Sequence, residues 1–244
     1  MIGFRRREFL AAAALTIAAQ RSGRAEIVEG RMPWRPRAGN PPKSAITDRW
    51  LFFTPDEAAA AEAIVDRIIP PDPETPGGKD AGCAHFIDNQ LAGNYGSAEG
   101  LYREGPFEKG IPQQGPQSEL TPAGLYRKGL AELDNHCKSQ FGGKSFAALP
   151  DQNKDEVLQE LEKGSIKFES QDSKSFFKRL LKDTREGFLA DPLYGGNRDM
   201  CGWKMIGFPG ARYDYRDWVS RHNERYPHPP VSIQGRPAWT PSKS

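Results

Sequence analysis

Proton transfer, metal ligation and nucleophilic attack most often use histidine and cysteine, and this chain has four of the first and three of the second. The histidines are His85, His136, His222 and His228. None stands in a ligand spacing such as H-E-x-x-H, and no two cysteines form C-x-x-C or the haem-attaching C-x-x-C-H. His85 and His136 fall inside predicted helices, where a lone histidine is more often a satisfied structural residue than a base. The nucleophile elbow G-x-S-x-G is absent, as are the dinucleotide fingerprint G-x-G-x-x-G and the phosphate loop G-x-x-x-x-G-K-[ST]. The glycines of "PGGKDAG" follow no strand and read as a turn. Neighbouring carboxylates such as Asp155, Glu156, Glu160 and Glu162 have lysines nearby, the pattern of a solvated helix face.

One stretch keeps the search open. "DPLYGGNRDMCGWKMIGFPGARYDYRDW", Asp191 to Trp218, holds five glycines among Tyr194, Trp203, Phe208, Tyr213, Tyr215 and Trp218. It has too much glycine for an ordinary helix and too little alternation for a strand, so it predicts an ordered but mostly irregular segment. Arg198, Arg212 and Arg216 accompany the aromatics. Tyr, Trp and Arg are the types enriched at interface hot spots. The same composition also suits an internal aromatic cluster packing the C-terminal part onto helices. Both readings stand at this level.

Four long helices and a short one are expected to position this segment. "FFTPDEAAAAEAIVDRIIP" opens with Thr54 as N-cap, Pro55 in the first helical position and Glu57 completing a capping box. Its apolar stripe is Ala58, Ala61, Ile64, Val65 and Ile68, and Pro70-Pro71 stops it. A short helix, "CAHFIDNQLAG", follows and ends at Gly93. Thr121-Pro122 starts a second long helix with Leu125, Leu130, Leu133 and Cys137 on one face, ended by Gly142-Gly143. A third runs from Pro150 to just before Gly164. A fourth carries Phe176, Phe177, Leu180, Leu181, Thr184 and Phe188, and Asp191-Pro192 ends it. No run of alternating β-branched residues appears. The fold class is therefore mainly α: a compact helical domain over 51–218 with long ordered loops, and an extended tail over 219–244.

The chain's formal net charge of +2 is concentrated at its beginning. Without residues 1–25 there remain 29 basic and 31 acidic residues. The body is near neutral and has no basic stripe for nucleic acid. "FRRREFLAAAALTIAAQ" joins an arginine cluster to an apolar run well short of the ~20 residues of a membrane span. Arg6, Arg7, Phe9 and Leu10 fit the R-R-x-F-L pattern of a twin-arginine export signal, expected over 1–25. A Pro- and Arg-rich leader follows over 26–50. An odd cysteine count in an exported chain leaves at least one thiol free or paired to another chain. Cys201, inside the aromatic segment, is the candidate for an interchain disulfide, against the plainer reading of three small buried side chains.

The segments "FFTPDEAAAAEAIVDRIIPPD", "AGCAHFIDNQLAGNYG", "YREGPF", "LTPAGLYRKGLAELD" and "EGFLADPLYGGNRDMCGWKMIGFPGARYDYRDW" occur in this order. Together they resemble the gluconate 2-dehydrogenase subunit 3 family over roughly Phe52 to Trp218, and the most specific block is Asp191 to Gly210. The resemblance implies a small accessory subunit with no catalytic, cofactor-binding or metal-binding residues of its own. Its expected partners are a large flavoprotein of the glucose-methanol-choline type carrying FAD and a membrane-bound multihaem cytochrome c subunit. The twin-arginine translocase would export the flavoprotein as its folded passenger, placing the complex in the periplasm at the membrane. The candidate partner interface is Tyr194, Gly195, Gly196, Asn197, Arg198, Asp199, Trp203, Phe208, Tyr213 and Tyr215. Two other classes stay open: a free-standing enzyme or small-ligand binder with Arg198, Asp199 and Tyr213 lining a pocket, and a periplasmic adaptor without a redox partner.

Overall fold

A computed structural model describes residues 49–233 except 102, 109, 112, 113, 115–117, 213 and 214. The export signal and its leader, including Arg6, Arg7, Phe9 and Leu10, lie outside the described residues, as does Tyr213. The described part is mainly helical. Its elements are α1 (Pro55–Ile68), α2 (Cys83–Ala92), α3 (Asn94–Ser97), α4 (Pro122–Gln140), α5 (Asp151–Lys163), α6 (Ser173–Leu189) and α7 (Cys201–Ile206). Short 3-10 turns link several of them. Among the described residues the β-type pairing is confined to an isolated parallel bridge between Gly210 and Val231.

Local chemistry starts and stops the long helices. Thr54 accepts from the Glu57 amide, and the Glu57 carboxylate accepts from the Thr54 amide at 2.8 Å, so two of the unpaired donors of α1 are satisfied together. Thr121 caps α4 through the Gly124 amide at 3.1 Å. Asp172 caps α6 through the amide and hydroxyl of Ser175, at 2.8 and 2.7 Å. Those bonds hold the Asp172 carboxyl below the usual carboxylate range, with the Ser175 hydroxyl contributing most. Each cap of this kind is worth about 1 kcal/mol.

Helix α6 is the centre of the packing and touches α1, α2, α4, α5 and α7. Phe176 and Leu180 are buried in the core with Tyr126, Leu133, Leu161, Ile64 and Ile87. Burying a side chain of this size contributes about 1.5–3 kcal/mol. Gly129 of α4 lies directly under the Phe176 ring, where a Cβ would come within 2.5 Å of a ring carbon. Within this core the Tyr126 hydroxyl donates to Asp183 at 2.7 Å. Burial pushes the Asp183 carboxyl up, although the Tyr126 bond pulls it down. A bidentate ion pair from Arg67 to Asp155, both contacts 2.7 Å, ties the end of α1 to the start of α5.

The segment before α1 is fastened to α2 by a single carboxylate. Asp88, fully buried, accepts from the amides of Leu51, Phe52 and Phe53 at 2.7, 3.0 and 2.8 Å. Trp50 stacks on His85 with ring centroids 4.0 Å apart and 4° between planes. Arg127 of α4 covers the Phe52 ring at 4.1 Å and donates to the Phe52 carbonyl at 2.6 Å.

The four long helices lie where their caps and stripes predict. Within the aromatic segment the structure adds α7, a helix of six residues. It fits between two left-handed residues, Met200 and Gly207, so it has a defined start and stop despite its glycine content.

Candidate partner-docking site

Helix α6 ends because Pro192 cannot continue it, and the chain then folds back over the helix end. A helix leaves its last carbonyls without intrahelical donors. Here the returning segment supplies them. The fully buried Asn197 donates from Nδ2 to the Ala190 carbonyl at 2.8 Å, and its Oδ1 accepts from the Gly202 amide at 2.8 Å. Trp203 donates from its indole nitrogen to the Leu189 carbonyl at 2.7 Å. Asn197 thus locks the turn and caps the helix with one side chain.

Two glycines set how closely the segment lies on α6. A methyl group on Gly196 would collide with the Gly187 carbonyl, and one on Gly202 would collide with the Phe188 carbonyl. Only a residue without a side chain permits backbone to rest on backbone at these points. Between them, Asn197, Asp199 and Met200 hold positive φ of 46°, 55° and 56°. Asn and Asp tolerate this region, but Met does not adopt it readily, so the turn stores strain of about 1 kcal/mol or more.

Further contacts fix the segment to α2 and to the tail. The Arg198 amide donates to the Ala81 carbonyl at 3.0 Å, and its side chain lies over Gly82. Asn89 donates to the Tyr194 carbonyl at 3.2 Å. Asp191 is the junction with the tail: its carboxylate accepts from the Leu193 amide at 2.9 Å, the Ser232 hydroxyl at 2.7 Å and the Ile233 amide at 2.8 Å. The Ala211 amide meets the Val231 carbonyl at 2.6 Å beside it. The described part of the tail therefore packs on the domain itself.

The candidate interface residues divide by direction. Gly195, Gly196, Asn197 and Trp203 are buried within the chain. Arg198 and Tyr215 are half-buried, the latter donating to the Gly210 carbonyl at 2.6 Å. Tyr194, Asp199 and Phe208 are exposed. Sequence reasoning missed two neighbours of Phe208: Met205 and Ile206 are 54% and 56% exposed, so the end of α7 and the turn after it carry an apolar ridge. Three bulky apolar residues in four positions were the available signal, and on a short helix they read equally well as core. Phe208 packs edge-on against Trp203 at 5.1 Å, which ties this ridge to the buried half.

Most of the remaining candidates for chemistry are engaged in internal contacts, and His222 lies exposed at the surface. Cys83, Cys137 and Cys201 are free and buried. Burial pushes the Cys83 and Cys137 thiols up to about 12 and raises that of Cys201. A buried, raised thiol is a poor nucleophile and a poor partner for an intermolecular bond. His136 lies 3.7 Å from Glu160, and His228 packs edge-on against Tyr226. The acid–phenol pair Asp183 and Tyr126 is sealed in the core, Tyr126 being fully buried. Among the described residues, no group of three or more His, Cys, Asp or Glu is placed to hold a metal ion. No helix among them is long and apolar enough to cross a membrane.

A rigid turn, clamped to two helices and presenting apolar side chains outward, is suited to recognition. A protein-family model described as Gluconate 2-dehydrogenase subunit 3 matches residues 55–210, from the first residue of α1 to the glycine that pairs with the tail. No curated protein and no solved structure matches the chain.

Proposed function

Because the chain belongs to the gluconate 2-dehydrogenase subunit 3 family, we propose that it is the non-catalytic small subunit of a periplasmic, flavin-dependent sugar or sugar-acid dehydrogenase. In this reading the flavin and the oxidation of substrate belong to a large partner subunit, and electrons leave through a haem c subunit to the membrane. The present chain carries the twin-arginine signal, docks the folded flavoprotein and stabilises it during export.

The observation that carries this reading is the two-sided segment Asp191–Gly210. Its inward side chains are spent on capping α6, while Tyr194, Met205, Ile206 and Phe208 remain at the surface. Exposed apolar side chains on a rigid support are costly for a solitary protein and useful for a subunit. Arg198 and Asp199, the polar pair that a free-standing enzyme would use, are placed differently: Arg198 lies over Gly82, and Asp199 points to solvent from a strained turn.

Co-expression of the flavoprotein with and without this chain tests the assignment. Periplasmic flavoprotein activity should require the chain, and Arg6→Lys/Arg7→Lys should abolish it. Equal export of the flavoprotein alone would overturn the carrier role.

A further inference from the structure

Beside Tyr194 the surface opens into a groove of about 800 Å³ between α2 and α6. Its apolar wall is formed by Phe86 of α2, by Leu181 and Leu189 of α6, and by the Tyr194 ring. Leu189 and Tyr194 are 40% and 44% exposed. The rim is electrically one-sided. Lys178, Lys182 and Arg185 stand at i, i+4 and i+7 along α6, on one face of the helix, with Glu186 as the carboxylate among the lining residues. Glu186 pairs with Lys182 at 3.3 Å. The lining thus carries three cations and one anion.

The geometry points to this groove as the seat of an apolar segment flanked by carboxylates, contributed by the flavoprotein subunit. This rests on the docking role proposed above and assigns it a second contact surface, in addition to the ridge at Phe208. The shape and size suit the apolar face of an amphipathic helix laid along α6. Charge selects the occupant. Residues 26–48 of this chain carry Arg31, Arg35, Arg37 and Lys43 against Glu26, Glu29 and Asp48, and 234–244 carry Arg236 and Lys243 without Asp or Glu. Glu26 and Glu29 flank only the pair Ile27-Val28, too short to fill a groove lined from Lys178 to Tyr194, and both segments are net positive, so neither complements a cationic rim. A second copy offering the same face would set lysine against lysine. An acidic partner segment gains from the net positive rim, chiefly from Lys178 and Arg185 since Lys182 already pairs with Glu186, and such complementarity acts on association rate and register as well as on affinity. Tyr194 belongs both to the groove and to the family block, and its backbone is tied to α2 by the Asn89 bond to its carbonyl.

The test measures association of the full chain with the purified flavoprotein at low and at physiological salt. Lys178→Glu/Arg185→Glu reverses the rim at two exposed positions and should leave the melting temperature unchanged. The expected result is a Kd raised about tenfold or more, with a weaker salt dependence than the wild type. Leu189→Ser, which spoils the apolar wall without adding or removing a charge, should weaken binding comparably. Wild-type binding with both variants unaffected would overturn the groove assignment alone. A wild-type chain that fails to bind flavoprotein would overturn the docking role as well. Vesicles with about 30 mol % phosphatidylglycerol separate the remaining occupant. If the charge-reversed variant loses vesicle binding but keeps flavoprotein affinity, the groove is a lipid site and the proposal falls.

Discussion

The inner and outer faces of Asp191–Gly210 are made from the same residue types and do opposite things. Trp203 and Phe208 are both aromatic and five residues apart, yet one is 5% exposed and the other 45%. The difference lies in what each can reach. The indole nitrogen of Trp203 finds the unpaired Leu189 carbonyl at the end of α6. Phe208 has no polar group to spend, and the left-handed turn at Gly207 carries it outward. Helix termination decides the inward half, because an orphan carbonyl near the core must be paired. Nothing internal requires the outward half, which leaves it available for a partner.

The sharpest way to break this contrast is Gly196→Ala. Its methyl would meet the Gly187 carbonyl, a backbone atom that cannot move aside without shifting α6. Overpacking of this kind should cost about 3 kcal/mol, lowering Tm by about 6–12 °C in a chain of this size. A Tm within a degree or two of wild type would show that the segment lies less tightly on α6 than described.

Asn197→Ala comes next. It orphans the Ala190 carbonyl and the Gly202 amide together and puts alanine at a positive φ. About 2–3 kcal/mol should be lost, with faster hydrogen exchange at the Gly202 amide. Asn197→Gly relieves the backbone strain but not the lost bonds, so it should fall between wild type and alanine.

The helices were legible in the sequence because their signals are local. Thr54 with Glu57 and Thr121 with Pro122 lie within four residues of one another, and each pair starts a helix. The content of the 191–210 segment was legible too. Its facing was not, because direction depends on carbonyls at the end of another element and on α2 behind it. Leu181 makes the point: its spacing predicts the buried stripe of α6, but the packing of α2 leaves it half-buried at the groove edge. The clamps at Asp88 and Asp191 were invisible for a related reason. Asp88 binds residues 35–37 positions away, and Asp191 binds Ser232 and Ile233, 41 and 42 positions away. No local pattern encodes such pairings.

On the outer face, Phe208→Ser should leave Tm within about 2 °C, since exposed substitutions seldom change stability by more than ~0.5 kcal/mol. Its effect should appear in association with the flavoprotein, as a Kd raised about tenfold, the scale of an ordinary hot spot. A large drop in Tm with unchanged affinity would move Phe208 to the inner face and take the docking surface with it.

Cys201 gives the smallest and most discriminating signal, because it lies on the inner face of the segment while a role as an interchain bond would need it outside. At pH 8 the folded chain should resist alkylation at all three thiols, which are buried with raised pKa. Unfolding in denaturant should release all of them. The same burial fixes the sign of an alkaline effect. Folding raises the Cys83 thiol from 9.0 to about 12, so above pH 9 the unfolded chain gives up a proton that the folded chain keeps. Stability is complete below pH 9 and falls as pH rises toward 12, by about 1 kcal/mol for one such thiol at pH 10. Cys83→Ala should flatten this decline. Rapid labelling of Cys201 in the folded chain, or a complex that separates only on reduction, would place its sulfur on the outer face and reverse the division between the two halves.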